Sequence, residues 1–269
     1  MGELSICRNG SLPHHLTIRS LVAAVYGEQT TMDTSATIQL LHTAEHMQGV
    51  VDVFQQVWGT STEIVRLEML MAIAHAGGYV AAAVDEQGTV LGASVGILAV
   101  HGGAPALHSH ITGVLPGVRQ TGLGRRLKLH QQSWARERSI DWIVWTYDPL
   151  VRRNAWFNIA VLGAEVHEYL DSFYGVMTDA LNAGDESDRL LVAWSVATDP
   201  DHELFDGSGI DDALLLPTPI DVVALRRTDP SEVARWRADS RAAWHAALAE
   251  GRRILGFTRD GEYVLGSAA

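Results

Sequence analysis

The sequence predicts a mixed α/β fold, in which strands and helices alternate along a chain of 269 residues. Runs dense in β-branched and aromatic residues, such as DWIVWTYDPL, are typical of strands. Segments with apolar residues at helical spacing separate these runs. Hydrophobic residues make up 47% of the chain and charged residues 19%, which is ordinary for a globular protein that buries a sizeable core.

The first part of the chain is predicted to form four strands and two helices. After a polar stretch over residues 1–35, for which we expect little order, ATIQLL predicts a strand. Thr43 then caps an amphipathic helix that ends at Gly59, and a second helix spans residues 62–75. Two β-like runs joined by the turn residues 85–88 predict a hairpin, and HSHITGVLP predicts the next strand.

The second part begins with the glycine-rich turn of VLPGVRQTGLG, which runs into a basic helix over residues 123–138. DWIVWTYDPL follows as a strand, and residues 154–162 form a short helix with Gly163 as its C-cap. EVHEYLDSFYGVM and RLLVAWSV predict two more strands. Beyond an acidic stretch over residues 197–212, we expect a strand, a helix over residues 230–250 and a hairpin.

Three parts follow from this pattern: a loosely ordered leader over residues 1–35, a core over residues 36–198 and a carboxy-terminal extension over residues 199–269. No apolar run reaches the roughly 20 residues of a membrane span, so we expect no membrane partner. The amino terminus is a poor secretory signal, and the single cysteine, Cys7, forms no internal disulfide. The sequence therefore predicts a cytoplasmic protein.

The charge distribution argues against one class of partner and favours another. A net charge of −12 argues against nucleic acid, because neutralising phosphates requires a basic face. Residues 119–138 nevertheless contain six basic residues and one acidic residue. On an acidic protein, such a cluster indicates either a small polyanionic ligand or a solvated helix face.

The glycine-rich turn does not fit two common phosphate-binding loops. A Walker loop requires Lys and then Ser or Thr after its second glycine, where Leu123 and Gly124 stand. The dinucleotide fingerprint requires a third glycine at the position of Leu127. What remains is R-x-x-G-x-G between a strand and a helix, in which Gly122 and Gly124 let backbone amides converge on a phosphate.

With its flanking elements, this motif resembles the GNAT superfamily of acyl-CoA-dependent N-acyltransferases. The resemblance rests on VLPGVRQTGLG, the helix after it, the strand DWIVWTYDP, and Asn154 at the helix that ends in Leu162-Gly163. It covers residues 36–198, and the extension resembles a bacterial branch of predicted acetyltransferases. It implies a mixed, mostly antiparallel central sheet that splays between its fourth and fifth strands and is flanked by helices.

The resemblance also implies a co-substrate, acetyl-CoA or another acyl-CoA such as succinyl-CoA, and no metal. The pantetheine arm would enter between the strands at residues 108–115 and 141–147, as an added strand would. The glycine turn would hold the pyrophosphate, while Asn154 would either touch the co-substrate or cap its helix. The implied binding residues are Gly113, Val114, Leu115, Arg119, Gln120, Thr121, Gly122, Leu123, Gly124, Arg125 and Asn154.

The implied reaction is attack of a primary amine of a small molecule or amino acid on the thioester, through an oxyanion that an amide near Val114 stabilises. The acid and base are not evident, because Ile159 stands where many relatives have a catalytic tyrosine. The candidate catalytic residues are His110, Asn158 and Tyr147, with Asp148 as a further polar group near the cleft. His108 lies on the same strand face as His110 and competes with it for the role of base. A hydrogen-bonded structural role is the alternative for His110.

Several alternatives stay open. Arg152 and Arg153 would bind a substrate carboxylate, or form an exposed loop pair. His42-Thr43-Ala44-Glu45-His46 matches the zinc-peptidase pattern H-x-x-E-H, but a helix capped by Thr43 leaves His42 outside it. The missing tyrosine makes a non-catalytic CoA-binding sensor or partner-binding module the alternative function. The sequence leaves a homodimer open.

Overall fold

A computed structural model describes residues 36–175, 185–202, 206–207, 209–210 and 212–267. The predicted leader, with Cys7, lies outside the described residues, and so does part of the segment between the last two predicted core strands. Within the described ranges, the strands form one sheet of seven strands and one of three.

The larger sheet contains strands from the whole predicted core. Its members are β1 (Thr37–Leu40), β2 (Tyr79–Val84), β3 (Val90–His101), β4 (Ala104–Val114), β5 (Trp142–Tyr147), β6 (Glu165–Leu170) and β7 (Arg189–Ser195). Their order is β1-β2-β3-β4-β5-β7-β6, and among these strands only β4 and β5 pair in parallel. The predicted mixed, mostly antiparallel sheet is therefore confirmed.

The parallel pair separates partway along its length. β4 pairs with β5 from Ala106 to His108, opposite Trp142 to Val144. Beyond this point β4 continues along β3, and β5 continues along β7. The splay predicted between the fourth and fifth strands is thus present, and it opens directly after His108.

Helices cover both faces of the larger sheet. They are α1 (Ala44–Trp58), α2 (Leu67–His75), α3 (Leu123–Arg136) and α4 (Arg152–Ala155), which continues as a π-helix, Trp156–Val161. On one face, Met47 and Phe54 of α1 pack with Val80 and Val95 of the sheet. On the other face, Trp134 of α3 packs edge-on against Tyr79, with 5.3 Å between the ring centroids.

The extension forms a second layer that shares its core with the larger sheet. It comprises β8 (Leu214–Pro217), α5 (Val222–Thr228), α6 (Pro230–Ala249), β9 (Arg252–Phe257) and β10 (Glu262–Ser267), with strand order β8-β10-β9. Trp244 of α6 stacks on Tyr169 of β6 at 5.7 Å and packs against Tyr263 of β10 at 4.9 Å. The domain boundary at residue 199 stays a prediction.

Two boundaries in the first part differ from those predicted. α2 begins at Leu67 rather than at residue 62, because the backbone amide of Thr62 donates to the Thr60 hydroxyl and local bonding of this kind competes with a helix. β4 begins at Ala104, earlier than predicted. Gly102 and Gly103, with φ of 57° and 83°, make the tight turn from β3 that the sequence analysis missed.

Two helix starts in the second part also differ. α4 begins at Arg152 with Val151 as its N-cap, so Asn154 lies inside the first turn and does not cap the helix. The short helix α5 was not predicted. Its N-cap is Asp221, whose carboxylate accepts from the amide of Ala224 at 3.0 Å.

Candidate functional site

A run of unpaired backbone amides lies at the start of α3. Gln120 and Gly122 have positive φ of 67° and 82°, which turns the chain sharply and presents successive N–H groups on one side. The Thr121 hydroxyl donates to the Val118 carbonyl at 2.8 Å and fixes this turn. Within the described ranges, none of the amides of residues 120–125 donates a hydrogen bond. We call these six groups the amide run; they suit an anion at a helix N-terminus.

The space beside the amide run is open. A Cβ built on Gly117, Gly122 or Gly124 would meet no atom of the described chain within 4 Å. Gly122 additionally needs the left-handed conformation, whereas Gly124 and Gly117 do not. A ligand can therefore approach the backbone at Gly124 without displacing protein atoms.

Arg125, whose side chain is predicted to contact the co-substrate, already has partners within the protein. Its guanidinium donates to the carbonyl of Pro200 and lies 3.6 Å from the Asp201 carboxylate. A phosphate at the amide run would have to share or replace these contacts. The contact of Arg125 with the co-substrate stays a prediction.

A β-bulge lies in β4 where the strand leaves β5. The register pairs Val95 with Ile111 and Gly96 with Ser109, so His110 is an additional residue in β4. Ile111 belongs to the apolar cluster beneath α1, and a Cβ on Gly113 would meet Trp58 of α1 at 3.0 Å. The bulge thus interrupts the alternation of side chains along β4, so residues 110 and 111 share one face.

His108 and His110 lie next to each other at the opening of the splay, with 6.2 Å between their ring centroids. Burial lowers the pKa of both imidazoles, and the charges of His110 and Lys128 lower the pKa of His108 further. A lowered pKa keeps an imidazole neutral and able to accept a proton at neutral pH. His110 is the more exposed of the two and remains the candidate base.

The other two candidate catalytic residues have separate surroundings. Tyr147 is buried, its hydroxyl accepts from the Tyr263 hydroxyl at 3.4 Å, and burial raises its pKa, which makes it a weak acid. Asn158 lies in the π-helix and is 5% exposed. Its backbone carbonyl accepts from the amide of Ala164 at 2.9 Å, which closes the end of the π-helix. The catalytic roles of these residues stay predictions.

The polar groups after β5 mostly face the extension. Arg152 donates from Nε to the Thr218 hydroxyl at 3.1 Å and from Nη2 to the Thr218 carbonyl at 2.5 Å. Asp148 is bound by two arginines of the extension, Arg226 and Arg237. Arg153 and Asn154 are exposed. Arg152 therefore binds the extension rather than an open cleft, and Asp148 does the same.

The sequence analysis missed Lys128, an inward residue of α3 that is 4% exposed. Its Nζ donates to Ser109 Oγ at 3.0 Å and to Gln131 Oε1 at 2.9 Å, and lies 3.7 Å from the centroid of the Trp145 ring. Burial lowers the pKa of this amine to about 7. The sequence did contain a clue, because Lys128 is the only lysine among 20 Lys and Arg residues.

The zinc alternative has no geometric support. α1 begins at Ala44 with Thr43 as its N-cap, so His42 lies outside the helix that would align it with His46. Among the described residues, no group of three or more His, Cys, Asp or Glu side chains could hold a metal ion.

In the same part of the chain, no helix combines the length and apolar character needed to cross a bilayer.

No protein-family model and no curated protein matches the sequence, but solved structures do. Salmonella typhimurium yncA, described as an acetyltransferase with its cofactor acetyl-CoA, has 18% identity over 64% of this chain and 98% of its own, with a TM-score of 0.49. Aminoglycoside 6'-acetyltransferase type Ii has 15% identity over 61% of this chain and 99% of its own, with a TM-score of 0.47. A protein from Desulfovibrio desulfuricans, described as an acetyltransferase of the GNAT family, has 14% identity over 61% of this chain and 100% of its own, with a TM-score of 0.46.

Identities and TM-scores this low carry no argument about the activity, residue roles or substrates of this chain. The topology of the chain itself is more informative. Within the described residues, the mostly antiparallel sheet, its opening between β4 and β5 after His108, and the glycine turn before α3 are the features that the resemblance implied. The described part of the chain therefore has a GNAT-type mixed α/β fold.

Proposed function

We propose that the protein is an acyl-CoA-dependent N-acyltransferase, which transfers an acyl group, acetyl in the simplest case, to a primary amine of a small molecule or amino acid. The observation that carries this proposal is the amide run at the start of α3 beside the unpaired edge of β4. Together they offer hydrogen-bonding groups to a ligand with a diphosphate at one end and an amide-containing arm at the other.

The donor would lie along these groups from phosphate to thioester. Its pyrophosphate accepts from the amide run, where the partial charge of the helix N-terminus adds to the hydrogen bonds. Its pantetheine arm contains two amides and pairs with the edge of β4 that β5 has left, as an added strand does. From Val114 to Ser109, β4 extends about 17 Å at 3.3–3.4 Å per residue, which brings the thioester to the bulge.

At the bulge, the neutral amine attacks the thioester carbonyl carbon. The carbonyl oxygen becomes an oxyanion, which a backbone amide of β4 stabilises. The C–S bond then breaks and CoA leaves as a thiolate, which takes up a proton, while the new amide nitrogen loses one. In this scheme His110 accepts the proton of the incoming ammonium, and the side-chain amide of Asn158 orients the acceptor.

Changing Gly124 to Val is expected to weaken CoA binding at least about tenfold, because a branched side chain fills the space where a phosphate meets the backbone. Folding is not expected to suffer, since a Cβ at Gly124 meets no protein atom within 4 Å. Gly117→Val is the matched control, with an equally open Cβ but outside the amide run. Calorimetric titration with CoA, together with thermal unfolding, measures both effects. Equal affinity in the two variants would contradict the assignment of the pyrophosphate site.

The reaction is tested by incubating the protein with acetyl-CoA or succinyl-CoA and a panel of primary amines while free thiol is measured. Amine-dependent thiol release is the expected result, and the donor that reacts faster identifies the acyl group. CoA binding without turnover on any amine would favour a non-catalytic sensor, an alternative that Ile159 at the usual tyrosine position motivates. Absence of CoA binding would reject both functions.

A further inference from the structure

A chain of hydrogen bonds connects α3 to both sides of the bulge in β4. Lys128 Nζ donates to Ser109 Oγ, which precedes the bulge residue, and to Gln131 Oε1. Gln131 Nε2 donates to Ser94 Oγ of β3 at 3.3 Å. Ser94 Oγ lies 2.7 Å from Thr112 Oγ1, which follows the bulge. This series of hydrogen bonds therefore contacts β4 on both sides of His110, at Ser109 and at Thr112.

This network is buried. Ser94, Ser109, Lys128 and Gln131 are each at most 6% exposed. Polar groups at such depth cost stability unless they are satisfied, and a satisfied network holds its members in one geometry. The network can exist because the bulge places Ser109 and Thr112 on the same face of β4, although they are three residues apart.

Lys128 has surroundings unusual for a buried cation. Among the described residues no carboxylate forms an ion pair with its amine. Its Nζ instead lies over the ring of Trp145 in β5 and 5.7 Å from the ring centroid of Trp194 in β7. Its charge contributes to the lowered pKa of His108 on β4. Lys128 thus joins α3, β4 and β5 at the point where the two strands separate.

We propose that Lys128 is a positioning residue, which holds the bulge of β4 at a fixed distance from the amide run. This inference rests on the proposed function, in which the amide run binds the pyrophosphate and the bulge meets the thioester. One rigid helix carries both ends of this arrangement, since Gly124 and Lys128 are four residues, or about 6 Å, apart along α3. A helix fixed to the bulge in this way sets where the thioester lies once the phosphates are bound.

The expected effect is on turnover rather than on binding. Small displacements of reacting groups can lower a rate by about a hundredfold, whereas the phosphate contacts do not involve Lys128. Lys128→Met keeps an unbranched side chain of similar length but removes the hydrogen-bond donor. In this variant we expect kcat to fall at least about tenfold while the Kd of CoA changes less than about twofold. Amide hydrogen exchange should become faster in residues 109–113 and stay unchanged in β2.

Thr112→Val removes a hydroxyl at the far end of the network without changing the shape of the side chain. We expect the same pattern in this variant, with a smaller fall in kcat. It keeps the proposal testable if Lys128→Met does not fold. Thr37→Val, in the edge strand β1, is the matched control and should change neither kcat nor exchange at the bulge.

The outcomes separate this proposal from the proposed function. If the unaltered protein binds no CoA, the proposed function fails, while hydrogen exchange in Lys128→Met still shows whether the network holds the bulge. Unchanged kcat and unchanged exchange in both variants would overturn the positioning role. Parallel losses of kcat, CoA affinity and thermal stability would also overturn it, because they indicate a general structural role.

Discussion

Replacing Arg237 with methionine is expected to lower the free energy of unfolding by about 3–5 kcal/mol, the range found when one partner of a buried ion pair is removed. Arg237 lies on α6 and is 3% exposed. Its guanidinium donates to Asp148 at 2.8 and 3.0 Å and to Asp185 at 2.6 Å. Without Arg237, Arg226 still contacts both carboxylates, at 2.5 Å from Asp148 and 3.0 Å from Asp185.

Arg235→Met is the matched control for this prediction, because Arg235 lies on the same helix and pairs with Glu232 one turn away. Its side chain is 63% exposed. An exposed pair is screened by water and contributes little, so we expect a free energy of unfolding close to that of the unaltered protein. Urea unfolding of both variants measures the difference. Similar losses in the two variants would contradict the role assigned to the buried cluster, which comprises Asp148, Asp185, Arg226 and Arg237.

The pH dependence of the free energy of unfolding tests the contribution of the same cluster in a second way. Burial on its own would raise the pKa of Asp148, but hydrogen bonds and charge from Arg237, and then charge from Arg226, lower it to about 2. The folded pKa therefore lies below the unfolded value of 3.8. Asp148 contributes stability above about pH 4, and this contribution is lost as the pH falls towards 2. In Arg237→Met, the free energy of unfolding should depend less on pH over that window.

The buried cluster also bears on the extension. Asp148 directly follows β5, whereas both arginines belong to α5 and α6. Arg152 and Tyr147 make further contacts with Thr218 and Tyr263 of the extension. The strand that forms one side of the splay is therefore held from outside by the extension, and Arg237→Met is expected to loosen the end of β5.

Lys128 is expected to titrate with a pKa of about 7, against an ordinary value of 10.5 for lysine. The cause is burial, which disfavours the charged amine. Because Lys128 is the only lysine, protein labelled with lysine that carries 13C at Cε gives a single labelled resonance, whose chemical shift can be followed from pH 5 to 11. A midpoint near the ordinary value would contradict this prediction and would mean that water reaches the amine.

The lowered pKa of Lys128 has a consequence for stability. Between about pH 7 and 10.5 the unfolded chain binds the lysine proton and the folded chain has released it. The unfolded state therefore holds more protons in this window, and the free energy of unfolding should rise as the pH increases. Lys128→Met should lack this rise, which urea unfolding at pH 7 and pH 9 can measure.

Local patterns were enough to predict much of the fold. The run YVAAAV and the Asp85 turn predicted the hairpin of β2 and β3, and Asp85 Oδ1 accepts from the amides of Gln87 and Thr89 in that turn. The glycine turn before α3 was also predictable, because the left-handed conformation of Gly122 is a local property of the backbone. Errors occurred where short-range bonding competes with a helix, as at Thr62.

The candidate site was harder to predict, because contacts distant in sequence decide it. Asp148 was expected near the cleft, and Arg152 was expected either to bind a substrate carboxylate or to lie in an exposed loop. Partners more than sixty residues away, in the extension, bind both residues. No local pattern identifies such partners, since they depend on how α5, α6 and β8 pack against the end of β5.

The sequence by itself determined the mixed α/β class, the glycine turn before α3 and the resemblance to a GNAT-type fold, since these depend on spacing and backbone conformation. Only the tertiary structure decided which side chains share a face of β4. A strict alternation would place Thr112 with His108 and His110, but the bulge turns Thr112 towards Ser94 and the network of Lys128. The pKa of Lys128 likewise depends on burial between α3 and two tryptophans, because desolvation is a property of the packed molecule and not of the chain.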